Sequence, residues 1–431
     1  MIKAKGAEAI RSRFLKDGAN IAIGVIASQL IIFSTIPILS RMYDQTEFGI
    51  QAPYNTVLIV FAILASLGLN SAIPLPATQK ESESIIKLQF LVGITTSIFL
   101  MILITAGSYL FGIDLFEKLF KSGFDIVLFF IIIIGIILTV YVNSVEVRLI
   151  QLNKTLKVSV GKILKAVAMV LTAIVIFYLP ATNSMALIYA SFGSWIVLAI
   201  FYFFQYKINF LSTSGEELKA VAVKYKKFIQ YTLPNSLLNS VSFNIPNFLL
   251  IALYTEQAAG NYAMAFRLVS LPTLFFTSSL RNVFLTRVAA MTRDSPEQLY
   301  PFVKKVLFGL HGISFLVYLT VIFLSDWVVP FYLGDDWVEA IFYIKILSIW
   351  QFMLIANSTM SGLLQVLDRQ DSAFYYEVLL FIGRVLSLSI PFYMGASGEM
   401  AVLYYSLVGF VFNGYLSYFY LSTGKKYSLK N

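Results

Sequence analysis

The chain has 431 residues, 58% of them hydrophobic and only 13% charged, with a mean hydropathy of +0.79. Soluble domains carry roughly 25% charged residues, so this composition excludes a water-soluble globular protein and points to an integral membrane protein. Cysteine is absent, which excludes a disulfide framework and a thiolate metal site. The net charge of +9 comes from Lys and Arg placed between apolar runs, without the basic, aromatic-interleaved arm that would suggest nucleic acid.

A membrane-crossing helix needs about 20 mostly apolar residues. On that length the sequence predicts an all-α protein with twelve spans, at 18–40, 50–74, 85–111, 126–147, 157–179, 184–206, 230–254, 262–284, 305–325, 338–362, 373–395 and 399–422. Residues 1–17 are basic, with Lys3, Lys5, Arg11, Arg13 and Lys16. The apolar run behind them is too long for a secretory signal and no small-residue cleavage site follows, so the first span is read as retained.

Charge then sets the orientation. With the N-terminus in the cytoplasm, the inside segments hold nearly all the Lys and Arg, including Arg148, Lys154, Lys157 and Lys162 around the 4–5 loop. The outside loops hold Arg41, Lys118 and Lys121, and Asp326, Asp335, Asp336 and Glu339 also fall outside. This is the positive-inside bias, and it places both termini in the cytoplasm.

The charged stretch Gly215 to Lys227 lies at the midpoint of the chain. It reads as a cytoplasmic linker, partly an amphipathic helix along the headgroups. The expected organisation is a six-helix bundle over 1–210, a linker over 211–229 and a second six-helix bundle over 230–431.

An internal echo supports two halves. The turn PILSRMYDQTEFGIQAPY (Pro37 to Tyr54) recurs 211 residues later as LIALYTEQAAGNYAM (Leu250 to Met264). Leu39 meets Leu250, Tyr43 meets Tyr254, Gly49 meets Gly260 and Ala52 meets Ala263. At the same offset Gly24, Ser28 and Thr35 of the first span meet Asn235, Asn239 and Pro246 of the seventh. Six crossings return the chain to its starting side, so the halves are expected to be parallel repeats.

The turn with Arg41, Tyr43, Glu47, Phe48 and Gly49 resembles the first extracytoplasmic turn of the polysaccharide-transporter family. These are the lipid-linked oligosaccharide flippases of the multidrug/oligosaccharidyl-lipid/polysaccharide exporter superfamily. AGNYAMAFR (Ala259 to Arg267), PFYLGDDWVEA (Pro330 to Ala340) and SGLLQVLDR (Ser361 to Arg369) are similar to that family too. The resemblance implies twelve transmembrane helices in two parallel six-helix repeats around a central cavity that opens alternately to each side. It implies a bacterial cytoplasmic (inner) membrane protein that moves undecaprenyl-diphosphate-linked sugar to the outer leaflet, for O-antigen- or capsule-type assembly. Membrane lipid, the polymerase and chain-length proteins of the same pathway, and H+ or Na+ are its expected partners. No cofactor and no metal site is expected.

Such a substrate needs cations for its diphosphate and a polar wall for its sugar. Arg384, near the middle of span 11, is the sharpest candidate, because a mid-membrane Arg costs roughly 2.5–3.5 kcal/mol on insertion scales. It either meets an anionic headgroup or pairs with Glu377, two turns below. Arg267, near the outer end of span 8, is a second cation. Lys345 in span 10 is a third, with snorkelling to the headgroups as its alternative. Lys165 and Arg281 are read as ends of spans. Asn20, Ser28, Asn235 and Asn239 form the polar seam, serving either sugar or helix packing. Glu146 and Glu377 are the candidate ion-coupling carboxylates, with solvated faces as the alternative. His311 reads as a packing residue.

No Walker A loop, HExxH pattern or nucleophile elbow appears, so no enzymatic constellation is expected. The rival readings are a drug/cation antiporter of the same superfamily and a polysaccharide polymerase. Spans 1 and 2 carry no Asp or Glu between residues 18 and 40 or 50 and 74, which argues against the first. The longest outside loop, 112–125, is too short for the second.

Overall fold

The computed structural model describes residues 2–76, 78–111, 115–121, 125–179, 184–208 and 214–430. Residues 112–114 and 122–124 of the expected loop at 112–125, and the start of the linker at 211–213, therefore lie outside the described residues. Among the described residues, twelve helices are long and apolar enough to cross a membrane. The chain divides into two compact units. The first is Met1–Met42 with Ile50–Val241, and the second is Tyr43–Gly49 with Ser242–Asn431.

The first unit contains α1 (Ile2–Met42), most of α2 (Gln45–Ala65), α3 (Gln79–Phe111), α4 (Leu115–Phe120), α5 (Ile126–Gln151), α6 (Thr155–Phe177), α7 (Ala186–Gln205) and α8 (Gly215–Lys224). α5 packs against α3, α6 and α7, and α1 lies along α6. Small residues allow the α1–α6 approach. A Cβ on Gly24 would stand 2.5 Å from the Ser159 Cα, the close packing that small residues permit in membranes.

Span 2 is shorter than its apolar run. The sequence predicts 50–74, but α2 starts at Gln45 and ends at Ala65, and Leu69–Ala72 forms a separate 3-10 turn. Leu67 (φ 53°) and Gly68 (φ 69°) are left-handed, and this stops the helix inside hydrophobic sequence. Hydropathy does not register such a stop. The irregular backbone is satisfied by neighbouring side chains, as buried polar groups require. Gln89 donates to the Ser66 carbonyl (3.1 Å) and the Asn70 amide oxygen (3.0 Å), Ser82 to the Ile73 carbonyl (3.0 Å) and Gln151 to the Pro74 carbonyl (3.1 Å). Buried Arg148 donates to the Tyr206 hydroxyl, which donates in turn to Glu83.

The charged linker does form a helix, α8, capped by Ser214. It is tied to the start of α3 by ion pairs, Lys80–Glu217 at 2.5 Å and Lys224–Glu81. The Lys80 hydrogen bond holds the Glu217 carboxyl below its ordinary 4.5.

The second unit contains α10 (Glu256–Asp294), α11 (Leu299–Leu333), α12 (Val338–Met360), α13 (Leu363–Val366), α14 (Gln370–Tyr393) and α15 (Gly398–Lys430). α9 (Leu233–Leu253) crosses the division, with its part from Ser242 onward here. α12 is the central helix, packed by α10, α11 and α15. Its Tyr343 and Trp350, and Trp337 just before it, are fully buried. α10 and α11 run well beyond the predicted 262–284 and 305–325. Their polar ends, such as ArgAsp at 293–294, continue the helix without apolar content.

The echo returns as geometry. α1 ends at Met42 and α2 begins at Gln45; α9 ends at Leu253 and α10 begins at Glu256. Each pair is separated by the same 211 residues. Asp44 and Thr255, equivalent in the repeat, cap the two helices. Asp44 Oδ1 accepts from Thr46 N at 2.8 Å while Glu47 reaches back to the Asp44 amide at 2.7 Å, a capping box. Thr255 Oγ1 accepts from Ala258 N at 3.1 Å. Burial pushes the Asp44 carboxyl up, but its hydrogen bonds with Glu47 and Thr46 outweigh this and hold it below 3.8.

Candidate functional site

Arg384 lies fourteen residues into α14, roughly 21 Å along a helix rising 1.5 Å per residue. It is only 4% exposed. Its Nη1 donates to Ser242 Oγ at 2.8 Å, and its Cζ lies 5.8 Å from the ring centres of both Trp350 and Tyr405. Trp350 and Tyr405 meet edge to face at 5.9 Å. Arg384 Nε, Trp350 Nε1 and the Tyr405 hydroxyl are buried without hydrogen-bond partners. Unsatisfied buried donors cost about 1–3 kcal/mol each, so this cluster holds unused hydrogen-bonding capacity around one buried cation.

Arg267 is half-buried, with its guanidinium 5.4 Å from the Phe48 ring. Because α10 begins at Glu256 rather than at 262, Arg267 sits three turns into its helix, deeper than its sequence context suggests. Lys165, read from sequence as a span end, is likewise ten residues into α6. Its Nζ stands 3.0 Å over the Trp195 ring. Three cations at membrane depth thus rest on aromatic faces. A cation–π contact is worth about 0.5–1 kcal/mol when exposed and about 2 or more when desolvated, and it leaves the positive charge unneutralised.

The other cations differ. Lys345 Nζ lies 2.6 and 2.8 Å from the two carboxylate oxygens of Asp326 on α11. Its charge is met by a carboxylate on an adjacent helix. Glu146 is paired with Lys162 at 2.6 Å, two turns into α6. Lys162 therefore lies inside the span expected at 157–179. Glu377 is half-buried on α14, two turns before Arg384.

The polar seam divides between the repeats. In α1, Asn20 Nδ2 donates to Thr155 Oγ1 at 3.2 Å, and Ser28, 8% exposed, donates to its own helix at the Val25 carbonyl. Asn20 stands in the α1–α6 contact. In α9, Asn235 and Asn239 are exposed, four residues apart on one face. His311 Nε2 is 3.0 Å from Ser417 Oγ, and Ser417 donates to Asn357 Oδ1 at 2.9 Å. The imidazole is thereby built into the packing of α11, α12 and α15.

Sequence reasoning passed over Lys162 and Trp195 as site residues and set Lys165 aside. The available signal was the pair of lysines three apart in GKILKAV, inside an otherwise apolar 23-residue helix.

Solved structures with similar folds are membrane transporters. An inward-facing multidrug-resistance MATE transporter of the MOP superfamily aligns with a TM-score of 0.67 at 14% identity, over 95% of each chain. A MOP-superfamily transporter from Pyrococcus furiosus aligns at 0.62 and 13% identity, over 96% of this chain and 95% of that one. The lipid II flippase MurJ, in an inward closed conformation, aligns at 0.62 and 14% identity, over 95% and 90%. The fold is therefore that of a multi-pass membrane transporter. Among curated protein sequences none matches. Residues 38–342 match the model of the polysaccharide biosynthesis protein family, and this chain belongs to that family.

Proposed function

We propose that the protein is a flippase. In this reading it carries polyprenyl-diphosphate-linked oligosaccharide from the cytoplasmic to the outer leaflet of a bacterial inner membrane, for O-antigen- or capsule-type assembly. Both termini lie in the cytoplasm. Two six-span bundles, 1–210 and 230–431, joined by 211–229, work by alternating access to the two sides of the membrane.

The observation that carries this reading is the set of membrane-depth cations resting on rings. Aromatic support leaves Arg384 and Arg267 with net charge, which suits an anionic diphosphate; a structural ion pair would have cancelled it. Exposed Asn235 and Asn239, in the first two turns of α9, suit a hydrated sugar, since amides facing hydrocarbon are costly. Family membership and the fold agree with transport in polysaccharide biosynthesis. H+ or Na+ is the expected coupling ion, with Glu377 and Glu146 as its candidate carboxylates. The second reading, a drug/cation antiporter, draws on Glu146, a membrane-depth carboxylate in the first half.

The test uses a deletion strain of the host. Polyprenyl-diphosphate lipids are labelled with an impermeant reagent on intact cells and on opened vesicles. Sugar-loaded carrier facing the cytoplasm, restored to outward labelling by the plasmid-borne gene, sustains the flippase. Normal outward labelling without the protein, and without a second exporter, removes it.

A further inference from the structure

The first unit holds its own charged cluster at membrane depth. Lys162 and Lys165 lie one turn apart on one side of α6, roughly 10 and 15 Å beyond Thr155 along a helix rising 1.5 Å per residue. A hydrocarbon core is about 30 Å thick, so Lys165 is near its middle. Ionisable groups at such depth face water or a partner.

The two lysines are held differently. Lys162 Nζ sits 2.6 Å from Glu146 Oε1 on α5, with the side chains 28% and 20% exposed. Lys165 Nζ sits 3.0 Å over the ring of Trp195 on α7 and, among the described residues, has no carboxylate partner. Lys162 and Glu146 both act on Lys165 electrostatically. Two amino groups thus face one carboxylate.

We propose that Lys162, Lys165, Trp195 and Glu146 form an anion site for a phosphate-bearing group. In it Glu146 is a resident anion, displaced from Lys162 when the ligand arrives. The proposal rests on the flippase reading and adds a contact point in the first unit. The chemistry follows from the two modes of support. A ring face steadies the Lys165 ammonium without using all three N–H donors. Glu146 pairs with Lys162 while the site is empty. A phosphate offers several oxygens and can meet both ammonium groups at once, whereas one carboxylate serves one of them. Lysine binds phosphate as a point charge, so no rigid fork is needed. No covalent bond forms or breaks. Polyprenyl diphosphate, a phospholipid headgroup and free phosphate share this chemistry.

The test is calorimetric titration of the full chain in nanodiscs with inorganic pyrophosphate, then with farnesyl diphosphate, in discs with and without phosphatidylglycerol. Lys165→Gln should weaken pyrophosphate binding about tenfold or more, while Lys165→Arg keeps most of it. Glu146→Gln should tighten binding about tenfold, because Lys162 loses its competitor; a tenfold change is about 1.4 kcal/mol. A merely structural pair would not tighten anything when broken. Unchanged binding in Lys165→Gln, or weaker binding in Glu146→Gln, overturns the proposal. If Lys165→Gln does not fold, the Glu146→Gln result decides alone. Tighter binding of farnesyl diphosphate than pyrophosphate identifies a lipid-linked diphosphate as the source, and competition by phosphatidylglycerol identifies the headgroup; both sustain the site. The leaflet assay separates the two readings. Lys165-dependent pyrophosphate binding without outward transport leaves the site and removes the flippase. Restored transport with Lys165-independent binding does the reverse.

Discussion

Gly49 and Gly260, equivalent positions 211 residues apart, pack backbone to backbone. A Cβ on Gly49 would lie 3.1 Å from the Gly260 amide nitrogen, and a Cβ on Gly260 would overlap the Gln45 carbonyl. The two capped turns of the repeat therefore meet at their own conserved-in-register glycines, within the second unit.

Gly260→Ala should accordingly destabilise the protein by about 1–3 kcal/mol or more, the cost of forcing extra volume into a packed site. The obstacle is backbone and cannot rotate away. Gly309→Ala on α11 is the control, because nothing lies within 4 Å of its added Cβ. It should be neutral or stabilising by roughly 0.5–1 kcal/mol. Thermal unfolding in detergent compares the two.

Arg384→Ala should abolish restored outward labelling, and Arg384→Lys should retain part of it. Ser242→Ala removes the hydroxyl that accepts from Nη1. A hydrogen bond to a charged group contributes about 1.5–3 kcal/mol, so this variant should melt earlier while transporting. Wild-type transport by both Arg384 variants at normal expression would remove the residue from the substrate path.

Asn235→Ala and Asn239→Ala should reduce transport with stability within about 0.5 kcal/mol of wild type, as is usual for exposed positions. The chain has no cysteine, so Asn235→Cys and Asn239→Cys report solvent without background. A membrane-impermeant maleimide should label both. Absence of labelling from either side of the membrane would place this face against lipid or protein.

The attachment of α8 should weaken in acid. A carboxyl held below its unfolded value contributes stability above that value, and the contribution is lost as pH falls through the folded one. Glu217 is lowered from 4.5 by Lys80, so loosening is expected below about pH 4.5. A spin label at exposed Val223 should gain mobility there, and Glu217→Gln should show the mobile spectrum at neutral pH. An unchanged spectrum in Glu217→Gln would show that the Lys224–Glu81 pair and packing at Val221 hold the helix without it.

The spans were legible because apolar length is a direct demand of the bilayer. The repeat was legible because turns conserve register, and Tyr43/Tyr254 and Gly49/Gly260 mark it. The stop at Leu67 and Gly68 was not legible, since a left-handed turn leaves hydropathy untouched. Register also could not assign environment. Gly24 and Ser28 are equivalent to Asn235 and Asn239, yet the first pair is buried and the second is exposed. The site was legible only where a charge interrupted apolar sequence. Arg384 stood out on that ground, whereas its cage, Trp350 and Tyr405, comes from two other helices. Lys165 reads as a span end, because its support, Trp195, comes from another helix and leaves no mark in the local sequence.

The ring-supported cations also order events on the ribosome. Phe48 is in place long before Arg267 is made, so that cation finds its support waiting. Lys165 precedes Trp195 by one span. Arg384 follows Trp350 but precedes Tyr405, which belongs to the last helix. A nascent chain halted before α15 therefore carries Arg384 with only one of its two ring supports.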